Sequence, residues 1–303
     1  MPNAPLPELP YADWLPTKRT LQLFLQMIGK VRLAAHPKLN HWWHVTLYPT
    51  TRGLTTQRIP WRGSGFAIDF DLIDHEVRVS RNDGHEQRFA VPGKDVAAFH
   101  DALFGALRAL DVDVTIRGVP YENESTIPFA EDHEHATYDG GAATRFWSVL
   151  CATTSVFERW RSRFTGKQSP VHFFWHSFDL VVTRFSGRAH PLPNARTQSD
   201  REAYSHEVVS VGFWPGDASH PRAAFYGYAY PEPQGLARTP LSPPSATWQD
   251  RNGSALAVLA YDDWRRSADR DTDLLAFVDS VYAGATALAD WPVADLRHAH
   301  ATD

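Results

Sequence analysis

A set of short signals that occurs twice, in one order, is the strongest constraint this 303-residue chain places on its own fold. Gly29-Lys30 answers to Gly166-Lys167, Trp43-His44 to Trp175-His176, Thr51-Arg52 to Thr183-Arg184, and His75-Glu76-Val77 to His206-Glu207-Val208. His44 and Arg52 are eight residues apart, and so are His176 and Arg184. Each series closes on a similar helical pattern, Ala98-Phe99, Asp101 and Ala109-Leu110 against Ala276-Phe277, Asp279 and Ala287-Leu288. A single shared dipeptide carries no weight, but collinearity and equal spacing imply two copies of one supersecondary unit. The expected fold is α+β, an internal duplication of two helix-covered antiparallel sheets with a cleft between the halves. Residues 1–16 then form a Pro-rich arm, 17–117 the first α+β repeat, 118–141 a connector, 142–291 the second repeat, and 292–303 a tail. Long Pro-rich loops at 187–204 and 231–253 enlarge the second repeat.

Hydrophobic periodicity supplies the elements. Leu21, Phe24, Leu25 and Ile28 recur at helical spacing, and Gly29 stands where a C-cap belongs. Val96, Phe99, Leu103, Leu107 and Leu110 predict a helix over 95–110, and a long helix runs from about Ala142 to Phe164. The Trp/His block 40–49, the block 170–186 and the segment Val112–Ile116 read as strands. If 172–184 stays extended, His172, Phe174, His176, Phe178, Leu180, Val182 and Arg184 line one side. Asn82-Asp83-Gly84 predicts a hairpin turn, and Glu207–Phe213 with Ala223–Tyr230 a second strand pair.

Charge and composition exclude several classes of function. A net charge of −5 leaves no basic excess for nucleic acid, and no apolar run is long enough to span a membrane. The first residues lack the pattern of a signal peptide, so a cytoplasmic location is expected. With one cysteine, Cys151, no intramolecular disulfide can form. The Gly-x4-Gly-Lys-Ser/Thr, Gly-x-Ser-x-Gly and His-Glu-x-x-His patterns are all absent.

The repeated residues are the types that build ligand sites. Lys30, Arg52, Lys167 and Arg184 could hold a carboxylate or phosphate, with Trp43, Phe174 and Trp175 against an apolar ring. A Lys at a helix end is equally explained by the helix dipole. His44, His172, His206 and Glu207 are candidates for acid–base catalysis; Tyr204 and Ser205 make the last pair the more site-like of the two His-Glu doublets. The partner expected on this reading is a small anionic, ring-bearing metabolite, and the cofactor is left open. A second reading makes His41, His44, His172 and Glu207 metal ligands. A third makes the chain a non-catalytic interaction protein that docks a partner on its Pro-rich loops. Oligomeric state is left open.

Several longer strings, among them Asn-His-Trp-Trp-His-Val (40–45), Ser-Pro-Val-His-Phe-Phe-Trp (169–175), Thr-Arg-Phe-Ser-Gly-Arg (183–188), Gly-Phe-Trp-Pro-Gly (212–216) and Tyr-Ala-Tyr-Pro-Glu-Pro (228–233), resemble a mostly bacterial family known as domain of unknown function 5996. The resemblance runs from about Leu9 to Trp291 and implies one soluble unit with no assigned activity. The family pattern carries a small residue where His176 stands here, which favours His172 as the functional histidine.

Overall fold

The computed structural model of the protein describes residues 5–192, 194 and 197–297. Helices accompany two six-stranded antiparallel sheets among these residues, the α+β class expected. The chain divides into two units: Leu9–Cys151 with Phe173–Phe178, and Met1–Glu8, Ala152–His172 and Asp179–Asp303.

In the first of these units, helix α1 (Tyr11–Ala35) starts ahead of the expected boundary and takes in Pro16. Pro16 lies near the N-terminal end, where a missing N–H forfeits few intrahelical bonds. Gly29 is no cap. A Cβ there would come within 2.1 Å of the Trp175 ring, so glycine admits the indole against the helix, which continues to its end near His36. Strands β1 (Tyr48–Pro49), β2 (Gly53–Thr55), β3 (Ile59–Trp61), β4 (Ser64–Asp71), β5 (Glu76–Arg81) and β6 (Glu86–Ala90) follow, then helix α2 (Val96–Ala109). The sheet runs β1-β2-β4-β5-β6, with β3 also paired to β4. Ile68, Phe70, Val77 and Val79 are buried on one face; Phe99 of α2 stacks on Phe24 of α1 at 4.1 Å and lies 6.2 Å from Phe70. Asp95 caps α2 by accepting the Ala98 N–H at 2.6 Å. The Asn82–Gly84 turn joins β5 to β6 as expected.

The Trp/His block is not the strand that its β propensity suggests. Asn40–Trp42 form a 3-10 turn with His41 at φ 52° and Trp42 at φ 60°. Rings two residues apart pair within it, His41 with Trp43 at 5.4 Å and Trp42 with His44 at 5.2 Å. Local ring stacking therefore outweighs a propensity that is itself mostly packing. Val112–Ile116 is also irregular rather than a strand.

Helix α3 (Gly140–Ser162) leads into the second sheet. Its elements are β7 (His172–Phe174), β8 (Asp179–Ala189), α4 (Gln198–Ala203), β9 (His206–Trp214), β10 (Ala224–Tyr230), β11 (Thr247–Arg251), β12 (Ser254–Ala260), α5 (Tyr261–Arg265) and α6 (Arg270–Leu288). The strand order is β11-β12-β10-β9-β8-β7. One face, with Leu180, Val182, Val209, Val211, Phe213, Phe225 and Leu259, is buried beneath helices; at Gly227 an added Cβ would lie 2.9 Å from Val281 of α6. Part of the expected loop 231–253 is strand, because Asn252-Gly253, at φ 58° and 84°, makes a tight hairpin between β11 and β12.

Segment 172–184 does not stay extended. Residues 175–178 turn, closed by the Phe178 N–H donating to Phe174 O at 2.8 Å, and Phe178 takes φ 62°. The turn buries the Phe178 ring against Phe146 and Phe173, at 5.2 and 5.1 Å. His172 and Arg184 consequently do not share one continuous strand face.

Each sheet is thus bracketed by helices, and the His-Glu doublets open β5 and β9 as expected. Equal spacing does not carry over to equal position, however. Arg52 sits in the turn between β1 and β2, whereas Arg184 is in the middle of β8.

Candidate functional site

Most of the nominated residues of the first unit are held in structural roles. Lys30 is buried inside α1, and its ammonium donates to Arg117 O at 3.2 Å and Val119 O at 2.6 Å. Burial, and then the Arg117 charge, bring its pKa down to about 8. Arg52 is exposed and bonded to Asp71 and Asp74 at 2.5 and 2.6 Å. The Trp175 indole is buried and donates to Val45 O at 2.7 Å. His44 accepts the Leu39 N–H on Nδ1 at 3.3 Å; burial and the neighbouring His36, Arg32 and Lys38 lower its pKa. Trp43 and Phe174 are half-buried, the latter 5.7 Å from the His176 ring, and His176 itself pairs with Glu122 at 2.9 Å.

In the second unit the expected anion ligand Arg184 is a core residue. Its guanidinium lies 3.5 Å from the Trp160 ring, 4.7 Å from Tyr282 and 4.9 Å from Phe164, and it donates to Trp160 O. Only 4 % of the residue is exposed, and burial brings its pKa down to about 10. Glu207 is held by Arg188 at 2.9 Å, and Arg188 also donates to Ala289 O at 2.6 Å. His172 is buried, with 1 % exposure. Among the described residues no three His, Cys, Asp or Glu side chains are grouped so that they could hold a metal ion. Within the second unit, His172, His206 and Glu207 therefore do not form such a group.

Two of the nominated groups do meet. The Lys167 ammonium lies 5.0 Å from the centre of the Phe185 ring, and the His206 ring is 6.5 Å from the same ring. The Phe185 N–H donates to Lys167 O at 3.0 Å, which fixes this segment beside β8. Burial and then the Lys167 charge lower the His206 pKa, so the imidazole is neutral at pH 7; burial lowers the Lys167 pKa as well. Ser205 Oγ is 3.0 Å from His206 Nδ1.

Phe185 stands on the second sheet's other face, away from the buried Leu180–Val182 side, and strand alternation continues a row of polar aromatics from it. Asp179, Thr183, Ser210, Tyr226 and Tyr228 occupy matching positions on β8, β9 and β10. The Tyr226 hydroxyl donates to Asp179, and the Tyr204 and Tyr228 hydroxyls meet at 3.0 Å. Thr183 and Ser210 share a hydrogen bond of 2.9 Å, and Ser210 also bonds Tyr228. Gly212 leaves the room that the Tyr226 ring fills, since a Cβ would lie 2.4 Å from its Cζ. The Tyr226 and Tyr228 rings are nearly parallel, 15° and 6.2 Å apart. Tyr230 continues the row, 5.2 Å from Tyr204 and 5.6 Å from His190.

Asp179, Tyr204, Tyr226, Tyr228, His206 and Lys167 all keep partial exposure. Even so, burial first and Asp179 among the nearby groups raise the Tyr226 phenol well above pKa 10; burial and then Tyr204 do the same to Tyr228. The phenols remain protonated at any physiological pH and can donate or accept. The site has a direction: Lys167 stands beside Phe185, six residues along β8 from Asp179, or roughly 20 Å at strand rise.

The tyrosines were legible as a spacing of two in Ala-Phe-Tyr-Gly-Tyr-Ala-Tyr, 224–230. Their connection to Asp179 and Tyr204 was not, because it depends on strand order and on a loop returning over β10.

The chain belongs to the family of unknown function DUF5996, whose model matches residues 6–298. No curated protein and no solved structure matches it. Among the described residues no helix is long and apolar enough to cross a membrane.

Proposed function

We propose that this protein binds a small anionic, ring-bearing molecule along the tyrosine face of the second sheet, and that His206 takes up a proton as it binds. The observation that carries the reading is that the Lys167 ammonium and the His206 imidazole, both partly exposed, flank the buried Phe185 ring beside a row of partly exposed tyrosines. Lys167 attracts the anionic group, the phenol rings contact the apolar ring, and the neutral imidazole takes up a proton as the anion binds beside it. Low local dielectric strengthens each polar contact among these half-buried groups. Tyr226 and Tyr228 take the roles first given to Trp43, Phe174 and Trp175, and Lys167 alone of the four nominated cations serves the ligand.

Calorimetric titration with phenyl phosphate tests the reading. Binding is expected, and Lys167→Met should weaken it at least tenfold with the fold unchanged by circular dichroism. His206→Asn should remove the proton taken up from solvent on binding, measured by repeating the titration in buffers of different ionisation enthalpy. Binding that ignores both substitutions sinks the proposal.

A further inference from the structure

We infer that the first unit carries a separate site for a small aromatic carboxylate, in a cavity that Trp61, Arg62 and Ser64 line at the tip of the β3–β4 hairpin. The cavity is half-open, with a volume of about 190 Å³. Arg81 at the end of β5 and Asp111 after α2 contribute to its walls. A cavity of about 150 Å³ is enough for benzene, so this one holds a single ring with one small substituent. Three features of the lining select the ligand.

Uncommitted polar groups are the first. Among the described residues the exposed Arg62 guanidinium has no hydrogen bond or ion pair; it lies 5.1 Å from the centre of the Trp61 ring. The Ser64 carbonyl accepts from Arg58 at 2.8 Å, while its hydroxyl has no hydrogen bond among the described residues. Arg81 is already engaged, donating to Leu110 O at 2.9 Å and pairing with Asp83 at 2.7 Å and Asp111 at 3.4 Å. Arg62 is therefore the unmatched charge of the lining. Its planar fork fits a carboxylate through two parallel hydrogen bonds, and the Ser64 hydroxyl can add a third donor.

Backbone strain is the second. Trp61 pairs with Ser64, so Arg62 and Gly63 form a two-residue hairpin loop, with φ at 43° and 79°. Asn or Gly is the residue that such a position favours, because a longer L side chain is strained at positive φ. An arginine held there against that preference supplies the cavity with its free guanidinium.

The aromatic wall is the third. The half-buried Trp61 indole faces the cavity, and the buried Phe66 ring meets it edge-on, at 6.0 Å and 89°. A flat ring bearing a carboxylate packs on the indole while its charge meets Arg62.

Calorimetric titration of the full chain with benzoate and with benzamide, its neutral counterpart of the same shape, tests the inference. Benzoate should bind at least tenfold tighter. Arg62→Asn removes the guanidinium and places at φ 43° a residue that tolerates it, so the preference for benzoate should vanish while the thermal midpoint rises. Ser64→Ala should weaken benzoate binding severalfold. The site is independent of the second sheet, so Lys167→Met should leave benzoate affinity unchanged. Equal binding of the two compounds, or no binding of benzoate, overturns the inference. Benzoate binding that survives Arg62→Asn, or that is lost with Lys167→Met, overturns it as well, and a midpoint that falls in Arg62→Asn with binding intact identifies Arg62 as purely structural.

Discussion

The two sheets turn very different faces away from their buried sides. On the first, Asp69 and Arg78 stand opposite each other and pair at 2.8 Å, Arg88 reaches Glu76 at 2.9 Å and Glu86 at 2.8 Å, and Arg52 holds Asp71 and Asp74. On the second, the equivalent face carries phenols, Ser, Thr and one carboxylate in a half-buried network. Exposed ion pairs keep a sheet face soluble and add little stability. A desolvated hydroxyl network has neither excuse, since each of its groups gives up water to be there. The first face is what a sheet needs in order to exist in solution. The second exceeds that need, and the excess is the physical argument for function.

Arg184 and Arg52 give the largest expected contrast, because sequence spacing made them equivalent. Arg184→Ala removes a guanidinium packed among three aromatic rings and opens a cavity. It should cost about 3 kcal/mol in denaturant unfolding. Arg52→Ala, on the exposed charged face, should cost less than about 1 kcal/mol. Equal losses would mean that the cage around Arg184 contributes nothing and would restore the two arginines as counterparts.

These arginines also show where the sequence was readable. Helices and hairpins governed by local rules were plain in it: the α2 stripe, the Asn82–Gly84 turn, the long helix α3 and the His-Glu strand starts. The Asn252-Gly253 hairpin obeyed the same rule and lay unread inside a segment taken for loop. What local rules do not supply is direction after a turn. Phe178 at φ 62° ends the run that was expected to align His172 with Arg184, and its reason is a ring buried among partners distant in sequence. The proposed site was legible at Lys167 and His206. It was invisible at Asp179 and Tyr204, whose roles exist only once β8, β9 and β10 are side by side.

A middling effect is expected where the tyrosine face depends on one glycine. Gly212→Ala places a Cβ 2.4 Å from Tyr226 Cζ, so the ring must leave its position beside Asp179. Overpacking of this kind costs about 1–3 kcal/mol. Ligand affinity should fall with it, while Gly84→Ala on the first sheet, with open space around the Cβ but φ at 86°, should cost backbone strain alone. If Gly212→Ala leaves both stability and binding untouched, the Tyr226 ring is not held as described.

Histidines on the two units should titrate in opposite directions. Burial and Lys167 lower His206, whereas the Asp95 hydrogen bond and charge raise His133. The signs for stability follow. His206 favours the folded state above pH 6.5 and loses that contribution as pH falls through its lowered value, because the unfolded chain takes the proton first. His133 contributes fully below 6.5 and loses its share as pH rises through its raised value. Proton NMR titration of the imidazoles checks both: Asp95→Asn should return His133 toward 6.5, and Lys167→Met should raise His206 only part of the way, since burial is the larger cause. A His206 that titrates above 6.5 would mean that neither burial nor Lys167 governs it.

The smallest effect is expected on the charged ladder. Arg78 faces Arg88 directly across β5 and β6, a like-charge pair made tolerable by Asp69 on one side and by Glu76 and Glu86 on the other. A double-mutant cycle on Arg78 and Asp69 should give a coupling of about 0.2–1 kcal/mol, as exposed pairs do. At 1 M salt, where the Debye length is about 3 Å, that coupling should nearly vanish. The matching cycle on Tyr204 and Tyr228, each changed to Phe, should keep its value in salt, because a neutral hydrogen bond in a desolvated network has no counterion atmosphere to screen it. A coupling between the two tyrosines that disappears in salt along with the ion pair would make the two faces physically alike, and the case for function on the second sheet would lose its foundation.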